Sequence, residues 1–176
     1  VGYWLGLESS PFPANSFVVR RSDVEDPERH KLIEDYLRAW AMGMEFGHLN
    51  PAAATQIVFE QFPIVKSSLG PRFGTESMMQ LANVFRGKWE EREGWGWHDP
   101  ARWTAFFEAT AALGQTSKQI DVASVINNDF IGPANEFDRD RVAADAASFE
   151  LSDDMAEVDL EVIRAQFYAN AVNVQG

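Results

Sequence analysis

The chain has 176 residues, 45% of them hydrophobic, no cysteine, and 15 Lys and Arg against 27 Asp and Glu, a formal net charge of −12. Length and apolar content suffice for one buried core, while the acidic balance disfavours nucleic acid and anionic membrane surfaces as partners. The lack of thiols excludes disulfides, thiolate metal sites and cysteine nucleophiles, and no apolar run reaches the about 18 residues of a membrane span, so no membrane insertion is expected.

The opening Val1-Gly2-Tyr3-Trp4 has neither a basic region nor a long apolar stretch, the pattern of a mature or trimmed chain. Pro11-Phe12-Pro13 then stiffens the approach to Ser16-Phe17-Val18-Val19-Arg20, the clearest strand candidate. After it the pattern turns helical. Three helix starts share one device, an Asp or Asn followed by Pro, in which the first residue caps free N–H groups and proline at the first helical position loses nothing. Asp26-Pro27 opens a helix to about residue 48 with Ile33, Leu37, Trp40 and Met44 on one stripe. Asn50-Pro51 opens a second, closed by Pro63. Residues 63–74, rich in Gly, Pro and Ser, read as a loop, after which Thr75 caps a helix to about Glu93.

Residues 94–98 read as another loop, and Asp99-Pro100 opens a helix with Trp103, Phe106, Phe107, Thr110 and Leu113 on one face and Gly114 as its stop. A short helical turn is expected at 121–126 and a loop at 127–137. Asp138 caps 139–149 with Val142, Ala146 and Phe149 inward, and Ser152 or Asp159 begins a last helix with Leu160, Ile163 and Phe167. Residues 134–161 carry ten acids against Arg139 and Arg141, which reads as a solvated helical surface. The expected fold is therefore mostly α with one strand. A buried lone strand must pair its N–H and C=O groups, and no second strand is evident, so either residues 16–20 lie in a loop or the partner strands lie elsewhere in a longer polypeptide.

Pro11-Phe12-Pro13-Ala14-Asn15-Ser16-Phe17-Val18-Val19, then Asp26-Pro27, Leu37-Arg38-Ala39-Trp40-Ala41-Met42-Gly43, and Phe46 leading into Asn50-Pro51-Ala52-Ala53-Ala54 form an ordered series. Asp99-Pro100-Ala101-Arg102-Trp103, Asp121-Val122, Asn127-Asn128-Asp129-Phe130-Ile131 and Ala134-Asn135-Glu136-Phe137-Asp138 continue it. In order and spacing, over about residues 11–149, the series resembles the C-terminal half of the NMT1/THI5-like substrate-binding proteins of ABC importers. The resemblance implies a two-lobed α/β protein of the type II periplasmic-binding kind. On it, residues 1–12 end the second lobe and approach the hinge, 13–151 supply a hinge strand and the helical part of the first lobe, and 152–176 form a C-terminal helix or tail. It also implies a periplasmic or otherwise extracytoplasmic place, a small organic solute and an ABC permease as partners, and the N-terminal part of the same protein as the other half of the fold.

At the implied hinge, Asn15 and Ser16 offer an amide and a hydroxyl to a ligand, or else satisfy backbone groups there. Tyr3 and Trp4 could stack on a ligand ring, or pack on the absent lobe. Trp95, Trp97 and Trp103 around His98 read as plugs anchoring a loop rather than an aromatic cage. His30, His48 and His98 lie far apart with no metal-ligand spacing, and solvent-exposed helix or cap positions account for them. No nucleophile elbow, Ser-x-x-Lys, Walker A loop or dinucleotide fingerprint occurs, so neither a cofactor nor a catalytic residue is expected. The competing readings are a pyrimidine-synthesis or decarboxylase-type enzyme of the same family pattern and a free-standing helical interaction protein.

Overall fold

A computed structural model describes residue 13 and residues 15–171, with the backbone alone described for 167–171. The described residues are mostly α-helical and contain no strand. Helix α1 (Arg21–Glu25) leads directly into α2 (Pro27–Leu49), α3 (Pro51–Gln61) and α4 (Pro63–Arg86). A 3₁₀ turn at Trp89–Glu91 precedes α5 (Pro100–Ala112), and another at Val122–Ser124 precedes α6 (Ile131–Asn135), α7 (Arg139–Ser148), α8 (Asp153–Ala156) and α9 (Leu160–Ala171).

The expected starts form as the chemistry requires. Asp26 Oδ1 accepts the N–H groups of Glu28 and Arg29, both at 3.0 Å, Asn50 Oδ1 accepts that of Ala53 at 3.0 Å, and Asp99 Oδ1 that of Ala101 at 2.9 Å, with proline at the first helical position each time. Asp138 caps α7 through Arg141 N–H, and Asp121 caps the turn at 122–124. Of the two alternatives for the last helix, both occur: Ser152 precedes the short α8, and Asp159 caps α9 through Glu161 and Val162.

The long α2 is the mast of the fold. α1, α3, α4, α6 and α7 all pack on it, α3 and α4 pair as a hairpin, and α8 lies across both members of that pair. Small residues make the close approaches possible: Ala41, Gly47, Ala52, Ala53 and Ala82 are buried, and Gly47 faces Ala54 and Met78. Ala52, Phe59 and Met155 form a core joined by Val65, Leu151 and Leu160. Two side-chain bonds pin the far elements to the mast: Arg38 Nε donates to Pro133 O at 3.1 Å, and Asn50 Nδ2 donates to Ala146 O at 2.8 Å.

Four expectations are corrected. Residues 63–74 are not a loop but the first half of α4, bent at Gly70 (φ 69, ψ 170) just before Pro71. Pro63 starts a helix as well as stopping one, and glycine takes the left-handed angle that lets the chain restart. Thr75 is therefore a buried mid-helix residue rather than a cap, and α4 ends at Arg86, where Gly87 turns at φ 53. Residues 127–137 contain α6 instead of being loop throughout. Finally, of the two readings of residues 16–20, strand or loop, the loop holds: residues 15–20 form no strand and are irregular and exposed. Water reaches their main chain, so burial does not oblige them to find a partner strand.

Candidate functional site

Of the residues singled out for ligand contact, Tyr3 and Trp4 lie outside the described residues. Asn15 and Ser16 are exposed and make no hydrogen bond to another described residue, so they converge with no second polar group among the described residues. Their neighbour Phe17, by contrast, is anchored. Its ring meets Tyr36 edge-on at 5.5 Å and Trp40 at 5.3 Å, and Trp40 meets Phe85 of α4 at 5.5 Å. This file of rings ties the irregular segment to α2 and α4 and marks a face that no other described element covers. Val18 is 89% exposed, and on α2 Leu32 and Tyr36, one turn apart on the same side, are 65% and 58% exposed. Leu81, one turn before Phe85, continues the exposed apolar surface along α4.

The polar constellation of the molecule lies around the loop at 94–98. Trp95 is 1% exposed, and its indole N–H donates to Glu45 Oε2 at 2.6 Å. The same oxygen accepts from Arg139 Nη1 at 2.7 Å, and the Arg139 guanidinium lies over the rings of Phe137 (4.8 Å) and Trp89 (6.0 Å). Two asparagines then hold the loop's main chain as a neighbouring strand would. Asn135 accepts the Trp95 N–H at 2.9 Å and donates to Trp95 O at 3.1 Å. Asn128 accepts the His98 N–H at 2.9 Å and donates to His98 O at 2.8 Å. Gly94 is needed for the first clamp, because its φ is 152° and an added Cβ would sit 2.5 Å from Asn135 Cγ. Trp95 is thus the plug of this loop, while Trp97 is half-buried.

Sequence reasoning singled out neither Glu45, Asn128, Asn135 nor Arg139 for this role. The available signal was the Gly-Trp-Gly-Trp run itself, since a buried indole N–H must find an acceptor.

The histidines are half-buried against aromatic rings, not solvent-exposed as expected. His30 Nδ1 lies 3.0 Å from Val24 O, and its ring is 4.5 Å from Phe130. His48 lies 6.3 Å from Trp95; burial first, then the Arg86 charge, holds its pKa below the usual histidine range. His98 accepts the Trp103 indole N–H on Nδ1 at 3.2 Å, and burial, then Arg92, likewise lowers its pKa. No three His, Asp or Glu among the described residues converge as a metal site.

The acids of 134–161 are solvated as expected: all are exposed except Asp154, which is half-buried and pairs with Lys66 at 2.8 Å. Two depressions lie elsewhere on the described surface. One, of about 370 Å³, is lined by Pro71, Arg72, Asp154, Glu157, Asp159 and Val162 among others, and a smaller apolar one, of about 170 Å³, lies between α3 and α4 over Phe59 and Met78.

Glu45 is committed to two donors and each loop asparagine to main chain, so this constellation is built to hold a shape. No family model, no curated protein and no solved structure matches the chain.

Proposed function

We propose that this chain is the helical C-terminal part of a two-lobed, extracytoplasmic solute-binding protein that delivers a small organic molecule to an ABC permease. The carrying observation is the segment 15–19 together with the face beneath it. Its main-chain groups bond to no described residue, Phe17 packs on Tyr36 and Trp40 in the Tyr36–Phe17–Trp40–Phe85 file, and its neighbour Val18 is 89% exposed. A run of apolar residues, Phe17 packed and Val18 exposed, suits a strand that would be buried in a sheet with layers above and below. The exposed Leu32, Tyr36 and Leu81 suit helices whose other cover is that sheet. The ordered motif series of residues 11–149 supports the same reading.

In such a protein the solute sits between two lobes, closure about the hinge buries it, and the permease recognises the closed form. This chain contributes the hinge strand, with Asn15 and Ser16 at the cleft edge, and a rigid helical scaffold. Its own polar groups are spent on structure, so the ligand-selecting contacts come mainly from the other part of the protein.

The test is a thermal-shift and calorimetric screen of the complete polypeptide against sulfonates, pyrimidines and aromatic acids. One class raising the melting temperature with saturable, stoichiometric binding and no turnover is the expected result. Turnover of a bound compound would favour the enzyme reading. A sharp, cooperative melt of this chain as an isolated monomer, with no solute bound by the complete polypeptide, would favour a free-standing interaction protein.

A further inference from the structure

The helix α5 differs from the other long helices in how it is held. None of its residues is buried, and it packs on the Val122–Ser124 turn while α3, α4, α6 and α7 pack on the mast. At its N-terminal end, His98 is one residue that joins it to the body. His98 has its main-chain N–H and C=O both clamped by Asn128, at 2.9 and 2.8 Å, and its ring accepts the indole N–H of Trp103 on α5 at 3.2 Å with the rings edge-on at 5.6 Å. Trp103 in turn stacks within its own helix on Phe107 at 5.6 Å.

The chemistry of that ring contact is one-sided. An indole N–H can only donate, so Nδ1 of His98 must present a lone pair, which places the ring proton on Nε2. A second proton can enter only at Nδ1, where it faces the indole hydrogen and removes the bond. We propose that His98 is a proton-operated latch: its neutral ring fastens the start of α5 to the clamped loop through Trp103, and protonation lets go of the helix while Asn128 keeps the loop in place.

The charged surroundings agree with the direction. Arg92, from the stretch after the Trp89–Glu91 turn, is the cation that acts on the ring; among the described residues it forms no ion pair, Asp99 acts on it only through space, and its Nη1 donates to Phe85 O at 2.9 Å. Asp99 and Arg102, which flank the ring in the chain, are paired with each other at 3.4 Å, and Asp99 also caps α5. Asn128, on the far side, is uncharged. Among the described residues no free carboxylate is therefore poised to stabilise the imidazolium, and the half-buried neutral ring is favoured at neutral pH.

The latch is tested by NMR on the whole chain, following the Trp103 indole N–H, assigned through Trp103→Phe, and the two ring nitrogens of His98 from about pH 7.5 to about pH 5. The expected result is an Nε2–H tautomer at neutral pH and a Trp103 indole signal that moves to its solvent-exposed position as His98 titrates. In His98→Gln, which keeps an acceptor but cannot titrate, that signal stays fixed. The α5 amides then exchange several-fold faster in the native protein than in the variant at acid pH, and equally at neutral pH. An Nδ1–H tautomer at neutral pH overturns the proposal, and this measurement needs no variant to fold. So does a Trp103 signal that ignores the His98 titration, or one that moves equally in His98→Gln.

Discussion

The loop at 94–98 and the segment at 15–19 are both irregular backbone carrying large apolar side chains, yet one is closed and the other open. In the loop, Asn135 and Asn128 each supply a donor and an acceptor to one residue's main chain, and Trp95 is buried to 1% with its indole N–H on Glu45. In the segment no described group meets the main chain of residues 15–19, and Val18 stands 89% in solvent. Side-chain amides can replace a strand's hydrogen bonds where the chain supplies them. Where no described group does so, the same kind of segment stays exposed to solvent.

The contrast can be broken first at the plug. Trp95→Ala is expected to destabilise the protein by about 3–5 kcal/mol, read from the denaturant midpoint, because it opens a cavity and leaves Glu45 with one donor fewer. Asn135→Ala comes next, at about 1–3 kcal/mol, since the Trp95 N–H and C=O lose their partner inside the body. A smaller, pH-linked effect arises from His48 and His98. Both have folded-state pKa values below the ordinary histidine value of about 6.5. The unfolded chain therefore takes up protons that the folded chain refuses, so stability is full above that value and falls as pH drops below it. A melting temperature that stays flat between about pH 7.5 and 5.5 would contradict this. At the open segment the expected effect is least: Val18→Ser changes the stability of this chain by no more than about 0.5 kcal/mol, because the side chain it removes touches little. A cost like that of Trp95→Ala would erase the contrast between the two regions.

Much of the helical frame was legible in the sequence because its signals are local. Asp26, Asn50, Asp99 and Asp138 need only the N–H groups two or three residues on, and each caps as the spacing implies. What local signals could not give was the use made of ambiguous residues. Pro63 both stops α3 and starts α4, and the Gly70-Pro71 pair bends a helix rather than making a loop. The run Ser16 to Arg20 reads as the clearest strand candidate, but a strand exists only where a neighbour pairs with it. The constellation at the loop was less legible still. Glu45 and Trp95 are 50 residues apart, and Glu45 and Arg139 are 94 apart, so only the packing of α2 against α6 and α7 brings them together. The exposed histidine assignments failed for the same reason, since each ring is covered by an aromatic distant or one turn away.

The two-lobed reading stands or falls on whether residues 15–19 pair with main chain outside this chain. Amide hydrogen exchange over Ser16–Val19 measures it directly, in this chain alone and in the complete polypeptide. Near-unprotected exchange is predicted in the first and protection by orders of magnitude in the second, with the exposed Leu32–Tyr36 turn protected alongside. Equally fast exchange in both would leave the segment a solvated connection and remove the physical support for a sheet laid over this face.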